Sequence, residues 1–378
     1  MNILQTLPSL ISGGVERGTV EIANYLVKHK HNALVASNGG ELVKLITNNG
    51  GRHIKLPLQS KNPLTIYLNH FKLLKVIKEN QIDLIHARSR APAWSSYLAA
   101  RSAGIPFITT FHGIYKITGK LKHSYNQIMT KGDKVIAISN FVANHIKENY
   151  QIDESKIHVI HRGVDPEIFC PNKITDEHIA LIAQKFNIPL DRHILLLPGR
   201  ITRWKGHEFL LEALSLLPKD SFYCLFAGDD KGHIKYRKSL EKKIHSIGLA
   251  QNVAIIKHQS NMQVLYKLAN IVFSTSLEPE AFGRIAIEAQ AMAKIVIATN
   301  IGGSCETIID NKTGFLITPN DVSALANKIS EVLSLSLAEK NQIGLDARAH
   351  IIENFSLETM CKKTMELYES VCLYNSKK

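Results

Sequence analysis

Short apolar runs, each followed by a longer segment of helical spacing, set the architecture of this chain. Asn2–Leu7, Ala33–Ala36, Ile54–Leu56, Leu84–His86, Phe107–Thr110 and Val135–Ile138 form a first series. Ile194–Leu197, Cys224–Asp230, Val253–Ile256, Ile295–Thr299 and Thr313–Ile317 form a second. Strands alternating with helices imply parallel sheets covered on both faces, so the expected fold is doubly wound α/β. With 378 residues, 45% of them hydrophobic, the chain can bury two such cores.

Ligands on open parallel sheets sit beyond the carboxyl ends of the strands. That rule draws attention to Phe111-His112-Gly113 and Ser139-Asn140 in the first series. His112 directly follows a buried run, where an imidazole can donate to a substrate hydroxyl or meet developing charge; a lone histidine is otherwise a structural hydrogen-bonder. Most of the other histidines among the 17 read as surface residues. Ser12-Gly-Gly-Val-Glu-Arg-Gly18 reads as a turn leading into a helix through Tyr25 and Leu26. Counted from Gly13, the third position is Val15, so the dinucleotide fingerprint is absent and no NAD site is expected.

In the second series, Phe273–Met292 reads as a strand end, a tight loop and a helix, with carboxylates at Glu280 and Glu288. Ile285, Ala289 and Met292 form the helix's apolar stripe, and Glu288 falls on it. A carboxylate on a buried face needs polar partners, and vicinal ribose hydroxyls suit it. The plainer reading pairs it with Arg284 at i, i+4 and leaves Glu280 a solvated loop charge. Gly283 lets the backbone approach a ligand, and the amides around Ala281, Phe282 and Gly283 open a helix N-terminus that attracts phosphate and hydroxyl oxygens. In Pro198–Gly206, Arg200 and Lys205 bracket a loop after a strand end, where a guanidinium fork and an ammonium can clamp a diphosphate. Surface cations are the alternative there.

Together these residues resemble the retaining glycosyltransferases of family 4. The C-terminal E-x7-E signature of that family corresponds to Glu280 and Glu288, and its G-R-x4-K-G phosphate site to Gly199–Gly206. The resemblance implies a GT-B fold of two Rossmann-like domains facing a cleft. It implies donor binding by Gly13, Gly14, Arg200, Lys205, His258, Ala281, Phe282, Gly283 and Glu288. His112, Arg200, Lys205 and Glu280 take catalytic roles, with Glu306 of the Gly302-Gly303 loop as a further polar contact. The family's Asn-Gly-Val-Asp turn is here His161-Arg162 followed by Gly163-Val164-Asp165, so the asparagine contact has no counterpart. The implied reaction moves a sugar from a nucleotide-diphosphate donor to a hydroxyl of a glycan or glycolipid acceptor, as in bacterial enzymes that extend lipopolysaccharide or related envelope glycans.

Pro166 and Pro171 mark a connection, so the domains are expected over 1–170 and 171–355, with 356–378 a helix returning to the N-terminal domain. Five cysteines, without C-x-x-C spacing, argue against a disulfide framework or zinc cage and for a reducing cytosol. No cofactor or metal is expected, because no Asp-x-Asp or H-E-x-x-H occurs and the basic pair can replace Mg2+. No secretory n-region and no transmembrane-length run appear, so the expected location is cytoplasmic, peripheral at most on the inner face of the membrane.

Of the net charge of +13, the first 170 residues carry +10 (21 Lys and Arg against 11 Asp and Glu). Such a face attracts anionic headgroups, an anionic acceptor or nucleic acid alike. Arg88, Arg90 and Arg101, with Trp94 and Tyr97, are expected on the helix after the Leu84 run, as a basic surface or an ordinary amphipathic helix. Lys116, Lys120, Lys122 and Lys131 mark a stretch of the kind that docks on membranes. A nucleic-acid binder would show a zinc finger, a basic heptad helix or an aromatic-basic RNP motif, and the chain has none. The rival enzyme is a sugar-nucleotide epimerase or hydrolase of the same architecture, which turns over donor without acceptor.

Overall fold

Seven strands build the first sheet: β1 (Asn2–Thr6), β2 (Asn32–Ser37), β3 (Arg52–Lys55), β4 (Leu84–Ala87), β5 (Phe107–Phe111), β6 (Lys134–Ala137) and β7 (Ile157–Val159). Every pairing is parallel, in the order β3-β2-β1-β4-β5-β6-β7. Six more, β8 (His193–Pro198), β9 (Phe222–Ala227), β10 (Val253–Ile256), β11 (Ile271–Ser274), β12 (Ile295–Thr299) and β13 (Phe315–Ile317), form a second parallel sheet in the order β10-β9-β8-β11-β12-β13. These come from a computed structural model that describes residues 1–11, 13–257 and 259–375. The chain divides into two units, Met1–Arg162 with Leu357–Lys378, and Gly163–Ser356.

Side chains alternate across each sheet because the strand period is two. In β8, Leu195 and Leu197 enter one core with Phe209, Phe226 and Ile329, while Ile194 and Leu196 enter another with Tyr266, Ala286 and Met292. In the first unit, Ile3, Leu84, Ile108 and Ile136 pack with Met360, Leu367, Tyr368 and Val371 of the last helix, Leu357–Asn375. Tyr368 also reaches into the sheet, its hydroxyl 2.6 Å from His86 Nδ1.

Four local expectations change. The helix after β1 spans Gly14–Lys28, so Gly14 to Gly18 form its first turn rather than a loop. Gly18 is accommodated there because the Arg162 guanidinium lies where a Cβ would stand. Arg88 is not on the following helix, Arg90–Ala103, but precedes it. Its amide donates to Thr6 O at 2.9 Å, extending the ladder, and its side chain is buried with Nη1 donating to Gln5 Oε1 at 3.1 Å. His86 and His207 are fully buried, exceptions among histidines read for the most part as surface residues. The residues after Gly163 belong with the second unit: Val164 donates to Phe355 O at 3.0 Å, and Arg348 Nη1 donates to Phe169 O at 2.8 Å. Among the described residues, no helix is long and apolar enough to cross a membrane.

Candidate active site

In the second sheet β8 and β11 are neighbours, and the chain leaves them toward opposite edges. The crevice beyond the carboxyl ends of such a pair is where open α/β sheets bind ligands. Two loops occupy it, Gly199–Gly206 after β8 and Thr275–Gly283 after β11.

The first loop is stitched to the end of β9, since Gly199 donates to Ala227 O at 3.0 Å and Ile201 to Asp229 O at 2.9 Å. It closes through a 3-10 turn, Arg203–Lys205, and Gly206 at φ 75°, which opens the helix His207–Leu214. Gly206 abuts the Thr275 carbonyl so closely that a Cβ would collide with it. Leu277 donates to Trp204 O at 2.7 Å, and Thr275 Oγ1 to Lys205 O at 3.3 Å. The two loops are thereby one rigid piece.

That piece sets Lys205 Nζ 2.7 Å from Glu280 Oε1, with side chains 10% and 13% exposed. Glu280 also accepts from the Ser276 hydroxyl. The Glu280 carbonyl takes the Gly303 amide at 2.7 Å, so the turn after β12 fixes its backbone as well. A charge-assisted pair held this way is fixed in direction, with the remaining ammonium protons and carboxylate lone pairs open to a ligand. Arg200 is exposed and makes no ion pair among the described residues.

The helix Arg284–Ala291 begins after Gly283, which adopts φ 85° with Ser304 packed where a Cβ would stand. Phe282 is buried, its ring 6.1 Å from that of Phe355, and Ala281 is half-buried. Glu288 pairs with Arg284 as its plainer reading expects, Oε1 being 3.3 Å from Arg284 Nη2, and Oε2 accepts from the Tyr266 hydroxyl at 2.9 Å. Burial, then the Glu288 charge, pushes the Tyr266 phenol well above its ordinary pKa, so it remains a donor. Glu306 is half-buried in the 3-10 turn Gly303–Thr307. His258 lies outside the described residues.

His112, Gly13 and Gly14 belong to the first unit. His112 follows β5, and both its ring nitrogens are out of solvent without a hydrogen-bond partner among the described residues. Burial, then the Arg162 and Arg88 charges, holds its pKa well below the ordinary value, so the ring is neutral with one donor and one acceptor to offer. It lines a cavity with Arg88, Thr110 and Arg162 in which the centre of a water-sized sphere has about 10 Å³ to move. Gly13, at φ 129°, precedes the helix Gly14–Lys28, and the Gly14 carbonyl accepts from Arg162. Ser139 is engaged as a helix cap, its hydroxyl accepting from Val142 N at 3.1 Å. Ser276 and Tyr266, which hold the two glutamates, are absent from the sequence expectations. Ser276, four residues before Glu280 in a loop, is findable; Tyr266, on a separate helix, carries no local signal. Among the described residues, no group of three His, Cys, Asp or Glu side chains could hold a metal ion.

Comparison with known proteins adds independent findings. Residues 12–168 match the family model Glycosyltransferase Family 4, and residues 179–354 match Glycosyl transferases group 1. The crystal structure of a glycosyltransferase from Rickettsia africae is 46% identical, with a TM-score of 0.92 over 98% of both chains. An Anabaena protein solved in complex with UDP and glucose shares the fold, with a TM-score of 0.84 at 23% identity over 98% of this chain and 100% of that one. An uncharacterized glycosyltransferase of Methanocaldococcus jannaschii is 24% identical over 96% of this chain and 95% of its own.

Proposed function

The chain belongs to the group 1 glycosyltransferases of family 4, and from that membership we propose that it transfers a hexose, with retention at the anomeric carbon, from a nucleotide-diphosphate-sugar to a hydroxyl of an envelope glycan such as a lipopolysaccharide core. The observation that carries this reading is the Lys205–Glu280 pair, fixed at the switch point of the second sheet by three loops. The UDP and glucose of the Anabaena relative make a uridine donor the first to test.

In this scheme Arg200 and Lys205 take the diphosphate and neutralise the charge that grows on it as the glycosidic bond breaks. Glu280, shared between Lys205 and Ser276, orients the sugar hydroxyls, and Glu288, braced by Tyr266 and Arg284, takes the ribose. The amides of Ala281, Phe282 and Gly283 line the donor's phosphates and sugar. The neutral His112 has one donor and one acceptor to offer a substrate hydroxyl. The acceptor hydroxyl attacks the face that the leaving group departs, and a departing phosphate oxygen accepts its proton. Positioning and electrostatics supply the acceleration, without a protein nucleophile and without a metal. The basic excess of the first 170 residues suits an anionic acceptor at the inner face of the cytoplasmic membrane.

The test is donor-induced thermal stabilisation across UDP-, GDP- and ADP-sugars, with Lys205→Ala and Glu288→Ala beside the native chain. A ligand that binds only the folded state raises the melting temperature by mass action, by roughly 2.7 kcal/mol of stability at a hundredfold excess over Kd. One nucleotide series should give this shift, both variants should lose it, and EDTA should leave it and turnover unchanged. No shift with any donor overturns the site; consumption of donor without any acceptor points to the epimerase or hydrolase instead.

A further inference from the structure

The helix Pro63–Glu79 is apolar on two opposite faces, and only one of them is used inside the first unit. Its inner face buries Asn69, Leu73, Val76 and Ile77. On the outer face Leu64, Tyr67, Leu68 and Phe71 are 66%, 54%, 50% and 49% exposed. Their i, i+3, i+4, i+7 spacing makes one continuous stripe. The rings are already gathered: Tyr67 meets Phe71 edge-on at 5.0 Å between centroids, and His70 lies 4.7 Å from Phe71. Single exposed leucines are ordinary, but a contiguous patch of this kind marks a contact surface.

The same stripe continues toward the helix's C-terminus as lysines. At 100° per residue, Lys75 and Lys78 fall in line with Leu64 and Phe71, and Lys72 flanks them. All three are exposed, as is Lys61 just before the helix. Glu79, 3.6 Å from Lys75, is the one carboxylate on the helix. We propose that this face docks on a lipid bilayer carrying anionic headgroups, with Leu64, Tyr67, Leu68 and Phe71 at the acyl boundary and Lys72, Lys75 and Lys78 on the phosphates. Aromatic rings beside lysines on flexible stems match the layered chemistry of a bilayer surface, apolar below and anionic above. A second copy fits worse, because its lysines would face either these lysines or the exposed leucines.

The proposal rests on the membrane-side acceptor proposed above only for its purpose, and its test needs neither donor nor acceptor. The full chain is sedimented with phosphatidylcholine vesicles with or without phosphatidylglycerol. Binding should require the anionic lipid and weaken with salt, and it should fall about tenfold or more in Leu64→Gln/Phe71→Gln and in Lys72→Gln/Lys75→Gln/Lys78→Gln. Both variants should keep the native melting temperature. No binding by the native chain, or full binding by both variants, overturns the proposal. A native dimer that Leu64→Gln/Phe71→Gln dissociates also overturns it and assigns the stripe to a protein interface. Donor-induced stabilisation separates the two readings: variants that lose the vesicles but keep the donor shift leave glycosyl transfer standing. A native chain that binds vesicles without any donor shift sinks the transfer reading alone.

Discussion

Burial holds the His207 imidazole at a pKa of about 4, with the Thr202 carbonyl, 3.3 Å from Nδ1, favouring the charged form and Lys205 opposing it. The folded ring is therefore neutral, whereas in the unfolded chain it takes up a proton near its ordinary value. Its contribution to stability is complete above that value and is lost as pH falls from about 6.5 to about 4, amounting to roughly 3 kcal/mol. Urea midpoints followed between pH 7 and pH 4 should fall accordingly, and His207→Phe should flatten part of the slope. His86 and His112, both pushed well below their ordinary values by burial, bend the curve in the same direction from the first unit. The sequence named Lys205 and Glu280 as separate candidates, but it did not tell that they meet, because 75 residues separate them and only the sheet order makes them neighbours. His86, by contrast, was placed by its run: a central parallel strand has no solvent face, so a polar residue in it is buried whatever its type.

At the scale of the element, the phosphate-site pattern has a structural meaning that residue types alone conceal. Gly206 is required twice over, by its left-handed backbone and by the Thr275 carbonyl against it; Gly228, in the turn after β9, is pressed against the Gly199 carbonyl. Gly206→Ala and Gly228→Ala should each cost at least about 2 kcal/mol, measured by chemical denaturation, since a backbone group rather than a flexible side chain must give way. Strand and helix positions were legible because burial on both faces leaves continuous apolar runs. Helix starts were less so: at Gly14 and Gly18 the sequence reads as a turn, and for Gly18 the Arg162 guanidinium filling the space of the missing side chain explains glycine inside a helix.

At the scale of the whole molecule, two doubly wound sheets followed from strand alternation and a last helix returning to the first unit was already expected, but the start of the second unit at Gly163 rather than after residue 170 came only from the tertiary contacts of Gly163–Pro171. Removing residues 357–378 should uncover Ile3, Leu84, Ile108 and Ile136 and leave His86 Nδ1 without Tyr368. The shortened chain should lose the first unit's cooperative transition in calorimetry while the second unit, Gly163–Ser356, keeps its own. Val164 and Ser356 lie side by side as a parallel bridge, so the chain enters and leaves the second unit at one spot. On the ribosome this fixes an order of completion. The later-made unit can close as soon as Ser356 has emerged, whereas the unit begun first must wait, its apolar sheet face open, for the last helix to be synthesised.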